Sequence, residues 1–169
     1  MNQTGYTKEV MKHFQKPHHY GRLKKYNGLG KVGNVICGDV LWLYINVSKN
    51  KKGGEIIKNI SYETYGCVAA ISTSSVITDL AKGKTINEAL NIDKDKVAKA
   101  LGGLPPLKMH CSLLAIDALS EAIYDYLIKH KKPVPEKLKE RHRRIERSKK
   151  IIEERYKKWT KKGASTKKE

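Results

Sequence analysis

The sequence predicts an α+β fold with a small antiparallel sheet, and three observations carry that reading. Val40-Leu41-Trp42-Leu43-Tyr44-Ile45-Asn46-Val47 is a run of β-branched and aromatic residues, and a second such run follows at residues 56–65. The turn signal Asn50-Lys51-Lys52-Gly53-Gly54 separates the two, so they pair as neighbours. On both sides of this hairpin the apolar spacing switches to the helical period.

Residues 6–15 open the chain as a helix, with Tyr6, Val10 and Phe14 at helical spacing and Pro17 ending it. His13, His18 and His19 lie in or just after it. They resemble metal ligands, but no second cluster nearby has ligand spacing, so they read as surface residues. A glycine-rich stretch leads into a short first strand near residues 29–35. It contains Gly28-Leu29-Gly30-Lys31-Val32-Gly33, a G-x-G-x-x-G string. A dinucleotide site would need a strand before it and a helix after it, and neither pattern is present.

In the second strand Leu41, Leu43, Ile45 and Val47 face the core, while Trp42, Tyr44 and Asn46 face away. In the return strand Ile56, Ile60, Tyr62 and Thr64 share one side. Gly66-Cys67 ends it, and a helix rich in small residues begins with Val68 and closes at Lys82-Gly83. Thr85-Ile86-Asn87-Glu88 has the form of a capping box and starts a short helix. Asp93 caps another, running through Val97 to Leu101.

Gly102-Gly103 then feeds Leu104-Pro105-Pro106-Leu107-Lys108-Met109-His110-Cys111-Ser112, the stretch around which the chain is organised. Two prolines cannot continue a helix, so they set the angle at which the next residues leave the turn. Ser112 is the expected cap of the next helix, which runs on Leu113, Ile116, Leu119, Ile123, Tyr126 and Leu127. Cys111 at its start feels the positive end of the helix dipole and is expected to be exposed. Pro133 and Pro135 mark the domain edge, which divides the chain into residues 1–130 and a C-terminal extension, residues 131–169.

Charge separates these two parts. The formal net charge is +18; the extension holds 17 Lys+Arg against 6 Asp+Glu, which leaves +7 to residues 1–130. Leu138, Ile145, Ile152, Tyr156 and Trp159 draw a narrow apolar stripe along a helix of residues 136–162. That stripe favours packing on the domain, or on a partner subunit, over a nucleic-acid-binding helix. No apolar run reaches membrane-spanning length, and Met1 to Val10 lacks a signal-peptide core. A cytoplasmic protein with reduced thiols is expected.

Cys37, Cys67 and Cys111 each stand where an element begins. The gaps between them contain no C-x-x-C pair, which excludes a zinc ribbon and a thioredoxin site. Asp39 and His110 add an oxygen and an imidazole beside the thiols. Three thiolates and one such group suit zinc or an iron–sulfur cluster.

Cys37-Gly38-Asp39, then Tyr65-Gly66-Cys67 running into a small-residue helix, then Leu104 to Ser112, closely resemble the IscU/NifU-type iron–sulfur cluster scaffold family. The match runs from about Tyr6 to about Tyr126. The resemblance implies a three-stranded antiparallel sheet packed against helices, with the cysteines gathered at one end. It implies a scaffold rather than an enzyme. Such a protein takes sulfur from a cysteine desulfurase, binds Fe2+, builds a [2Fe–2S] cluster and passes it to apo-proteins. A homodimer of members can hold a [4Fe–4S] cluster, and Zn2+ can occupy the site of the purified protein.

By the same resemblance Cys37, Cys67 and Cys111 are cluster ligands, and Cys111 is the persulfide acceptor. Asp39 is the carboxylate that favours release, His110 the alternative fourth ligand, and Lys108 a charge partner of Asp39 or the sulfurs. Leu104, Pro105, Pro106, Leu107 and Lys108 resemble the segment bound by a dedicated Hsp70-type chaperone, with Leu107 where valine is usual. Val68 replaces a common glycine, and the second cysteine-rich module of longer members is absent. The zinc-binding, SufU-like sulfur acceptors that stimulate a desulfurase carry an insertion between the second and third cysteines. This chain shows no such insertion, which favours the scaffold.

Overall fold

The computed structural model describes residues 5–33, 38–51 and 53–165. The expected ligand Cys37 lies outside the described residues, as does the end of the expected first strand. The chain order is α1 (Lys8–Gln15), β1 (Gly28–Gly33), β2 (Val40–Lys49), β3 (Glu55–Tyr65), α2 (Val68–Ala81), α3 (Ile86–Leu90), α4 (Lys94–Ala100), α5 (Met109–Lys129) and α6 (Glu136–Ser165). The three strands form one antiparallel sheet in the order β1-β2-β3. The expected α+β class is therefore the one the chain adopts.

Alternation works as the sequence suggests in β2, where Leu41, Leu43, Ile45 and Val47 are buried against the helices. Tyr44 points to the opposite face yet is only 3% exposed. The segment after α1 folds over it: Tyr26 packs edge-on at 5.0 Å between ring centroids, and the Tyr44 hydroxyl donates to Glu63 Oε2 at 2.5 Å. In β3 the core side is Ile57, Ile60, Tyr62 and Thr64, whereas Ile56 is only partly buried. The pairing passes from Asn46↔Asn59 to Val47↔Ile57, so Lys58 is an extra residue in β3. That bulge reverses the face of every residue before it.

The sheet and helices approach unusually closely at two glycines. A Cβ on Gly30 would lie 2.0 Å from the Ala118 carbonyl oxygen, and one on Gly28 would lie 2.4 Å from that of Ala122. The backbone of β1 thus rests directly on the alanine face of α5. This explains the first two glycines of the G-x-G-x-x-G string without any phosphate; Gly33 has room for a side chain.

Caps follow the sequence closely. Thr85 and Glu88 exchange both hydrogen bonds of a capping box, and Asp93 accepts from Lys96 N–H at 2.8 Å. Gly83 closes α2 with φ +77°, a conformation that favours glycine. Ser112 is a correction. A 3-10 turn, Pro106–Lys108, runs straight into α5, which starts at Met109. Ser112 is therefore already inside the helix, where its hydroxyl donates back to the Met109 carbonyl at 2.6 Å.

The basic extension is α6, and it packs on α5. Leu138 and Ile145 are buried in the seam. Arg141 donates to Ser120 Oγ at 2.7 Å, Arg144 to Asp117 at 2.8 Å, and His142 pairs with Glu121 at 2.9 Å while stacking on Tyr124. Burial holds the Asp117 and Glu121 carboxyls above their ordinary values despite these partners. Ile152 reaches to 4.0 Å of the Cβ position of Gly33, so the helix runs along β1 toward the cysteine end. No helix among the described residues is long and apolar enough to cross a membrane.

Candidate metal centre

Two helix starts and one strand start converge at the end of the sheet. Cys67 is the N-cap residue of α2, directly after β3. Cys111 is the third residue of α5 and is fully buried. Asp39 precedes β2 and follows Gly38, whose φ of +71° makes the tight corner that a side chain would strain. Asp39 Oδ1 accepts the Cys67 N–H at 3.3 Å, which ties the two strand ends together.

The three donor atoms form a nearly equilateral triangle. Cys67 Sγ is 3.9 Å from Cys111 Sγ and 4.0 Å from Asp39 Oδ2, and Cys111 Sγ is 3.9 Å from that same oxygen. A tetrahedral zinc with metal–sulfur bonds of about 2.3 Å and metal–oxygen bonds of about 2.1 Å spans edges of roughly 3.8 Å between sulfurs and 3.6 Å from sulfur to oxygen. The observed triangle is within a few tenths of an ångström of one face of such a site.

His110 supplies a further corner. A ring nitrogen of His110, a carboxylate oxygen of Asp39 and the Cys111 sulfur lie within 4.8 Å of one another. His110 Nε2 is buried and makes no hydrogen bond among the described residues. Native interiors rarely leave such a nitrogen without a partner, and a ligated ion would satisfy it. The donor set present therefore fits a bound metal.

Lys108 and Tyr6 complete the surroundings. The sulfur of Cys67, the Tyr6 phenol, Cys111 and Asp39 together hold the Lys108 ammonium above its ordinary range. Burial raises the Tyr6 phenol, with Cys67 adding to the effect and Lys108 opposing it. Sequence reading used Tyr6 only as a helix-packing position. Only folding brings Tyr6, two residues before α1, beside the cysteines at the starts of α2 and α5.

The other expectations divide. Cys111 is fully buried rather than exposed, because α5 begins at Met109 and turns the third residue inward; Cys67 is the more accessible thiol. In the Leu104–Lys108 segment, Leu104 is buried and anchors it, Pro105 is half-buried, Pro106 is exposed and Leu107 stands 86% exposed. Gly66 has a reason that sequence did not give. A Cβ there would meet Ala70 Cβ at 2.7 Å and Asp39 Oδ1 at 3.0 Å.

Thiols, carboxylate and imidazole at one end of a three-stranded sheet backed by helices describe a metal-holding α+β domain. The family model described as NifU-like N terminal domain matches residues 5–133, and the chain belongs to that family. Among its relatives, the iron-sulfur cluster assembly scaffold protein IscU 1 of Archaeoglobus fulgidus is 52% identical over 127 residues, covering 75% of this chain and 80% of the relative. The scaffold protein IscU of Aquifex aeolicus is 40% identical over 124 residues, covering 73% of this chain and 77% of the relative. The fold is shared with the N-terminal NifU-like protein of Brucella abortus (TM-score 0.58, 17% identity, 73% of this chain and 94% of that one).

Proposed function

We propose that the chain is a scaffold on which iron–sulfur clusters are assembled and from which they are handed on. The observation that carries this is the triangle of two sulfurs and one carboxylate oxygen with 3.9–4.0 Å edges, set beside the buried His110 Nε2, which makes no hydrogen bond among the described residues. Family membership and relatives named as scaffolds support it. Cys37, Cys67 and Cys111 hold the cargo, a [2Fe–2S] cluster; Asp39 is the fourth ligand and His110 its alternative. One hard oxygen among soft sulfurs weakens the hold, as a protein that must release its cargo requires.

Sulfur arrives from a cysteine desulfurase. The Cys111 thiolate attacks the outer sulfur of the desulfurase persulfide; a new S–S bond forms, the old one breaks, and the desulfurase thiolate leaves. Each such sulfur then takes two electrons from an external reductant to become sulfide, and Fe2+ completes the cluster. Cys111 is buried, so access by the donor requires local opening around it, and Lys108 steadies the anionic sulfurs. The exposed Leu107 is the contact offered to an Hsp70-type chaperone during release to apo-proteins. A homodimer would combine two such ends around a [4Fe–4S] cluster. Residues 1–130 carry these tasks, and the extension, residues 131–169, is an addition to them. The protein turns over no substrate of its own and works in the cytoplasm.

The same triangle also matches zinc, so a zinc-holding sulfur acceptor that stimulates a desulfurase is the second reading. Anaerobic reconstitution with iron, cysteine and a desulfurase separates the two, followed by absorption and Mössbauer spectroscopy. A [2Fe–2S] signature that passes to an apo-ferredoxin supports the scaffold. Tightly held zinc, with desulfurase stimulation and no cluster, overturns it in favour of the acceptor. Mass spectrometry after brief turnover without iron tests the role of Cys111. Persulfide found first on Cys67 would reassign the acceptor to the more accessible thiol.

A further inference from the structure

His13 lies near the end of α1, His18 and His19 follow Pro17, and Asp79 sits in the last turns of α2. Folding gathers them. One ring nitrogen each from His13 and His18 and a carboxylate oxygen of Asp79 lie within 4.8 Å of one another. The two imidazole centroids are 4.8 Å apart. We propose that His13, His18 and Asp79 form a second metal site, for a borderline divalent ion such as Zn2+ or Co2+, separate from the cysteine centre.

The contacts around the cluster indicate which nitrogens would meet an ion. Ser75 Oγ accepts the His18 backbone N–H at 2.8 Å and lies 2.8 Å from His13 Nδ1. With Nδ1 engaged by Ser75, Nε2 is the His13 nitrogen left for an ion. His18 Nδ1 stands 2.7 Å from Asp79 Oδ2, so an ion shared by these two residues takes the place of the proton between them. His13 is held as metal-ligating histidines are, with its second nitrogen tied to an oxygen.

His19 is a support and not a ligand. The Lys82 ammonium donates to its Nε2 at 3.0 Å, so Nδ1 carries the proton. That proton goes to Thr78 Oγ1 at 3.0 Å, with Asp79 Oδ1 at 3.5 Å, because the Thr78 hydroxyl is already donated to the Ser75 carbonyl. The left-handed φ of +52° at His19 turns the ring back onto α2 beside Asp79. Burial, with His18 adding to it, holds the His13 imidazole below its ordinary value, so it is neutral and able to ligate.

Two imidazoles and one carboxylate without sulfur suit zinc, cobalt, nickel or ferrous iron, not calcium or magnesium. Three protein ligands leave a position for water. Asp79 lies twelve residues along α2 from Cys67, about 18 Å at 1.5 Å per residue, so the two sites do not share an ion.

Cobalt titration of the full chain reads both sites separately. Thiolate-bound Co2+ shows strong sulfur-to-metal charge transfer, and Co2+ on imidazole and carboxylate shows only weak visible bands. The wild type is expected to take up one equivalent of Co2+ without charge transfer. His18→Ala, at a side chain 45% exposed, should weaken that equivalent by at least about tenfold and leave the charge-transfer bands unchanged. Asp79→Asn, 37% exposed, should do the same. A wild type lacking the sulfur-free equivalent, or variants that retain it at unchanged affinity, would overturn the proposal.

Discussion

Gly66→Ala tests whether the corner between β3 and α2 positions the metal centre. Gly66 does not have a left-handed φ, so alanine meets no backbone strain there. The cost is steric. The new methyl would lie 2.7 Å from Ala70 Cβ, 3.0 Å from Asp39 Oδ1 and 3.1 Å from Asp39 Cγ, against a comfortable carbon–carbon separation of about 3.5–4.0 Å. Overpacking of this kind costs about 1–3 kcal/mol. Loss of glycine freedom in the unfolded chain offsets about 0.4–1 kcal/mol of it. A net loss of about 1–2 kcal/mol lowers Tm by roughly 2–8 °C for a chain of this size. Relief must come from α2's first turn or from the Asp39 carboxylate, whose Oδ2 is one corner of the donor triangle. The variant should therefore bind Co2+ at the cysteine centre more weakly, with altered charge-transfer bands. Differential scanning calorimetry and cobalt titration measure the two effects. A Gly66→Ala protein that melts with the parent and binds Co2+ equally well would refute the argument.

Asp39→Ala removes the proposed hard ligand and the acceptor of the Cys67 N–H, and a reconstituted cluster on it should persist longer and transfer more slowly than the parent's. Transfer kinetics to an apo-ferredoxin check this, and parent-like decay and transfer would reduce Asp39 to a turn residue. Glu121→Gln should raise Tm at pH 7. Burial holds the folded carboxyl above its ordinary value, so its stabilising contribution is complete below the unfolded value and is lost as pH rises through the folded one. The advantage of glutamine should then shrink as pH falls into the ordinary carboxyl range, and a lower Tm at pH 7 would show that the pairing with His142 and Lys149 outweighs burial.

Local chemistry was readable in the sequence, and long-range juxtaposition was not. The capping box at Thr85, the cap at Asp93 and the glycine after Lys82 depend on residues a few positions apart, and each stands where the spacing put it. The core face of β2 follows from alternation alone. The face of β3 does not, because the extra residue Lys58 is visible only in the pairing with β2. Ser112 looked like a cap because serine after a proline turn usually is one; the 3-10 turn had already begun the helix. At the metal centre, the types of donor could be read from Cys67, Asp39, His110 and Cys111, but not the burial of Cys111 or the approach of Tyr6. Asp79 is 61 residues from His18, beyond any local spacing rule.

The margins of the sheet bear on how copies of this chain can meet. Along β1, the Leu29 N–H is taken by Asp125 of α5 at 2.9 Å. Along β3, Tyr62 exchanges backbone bonds with His19 and Gly21, and Ile57 does so with Gly83 and Lys84. A fourth strand from another molecule would have to displace these bonds before it could add to the ladder. β-augmentation, the usual route by which small open sheets recruit partners or polymerise, is thus obstructed on both flanks. Encounters are directed instead to side-chain surfaces, so recognition of this protein depends on side-chain shape and chemistry, which mutation can tune, and not on backbone pairing, which any extended peptide can supply.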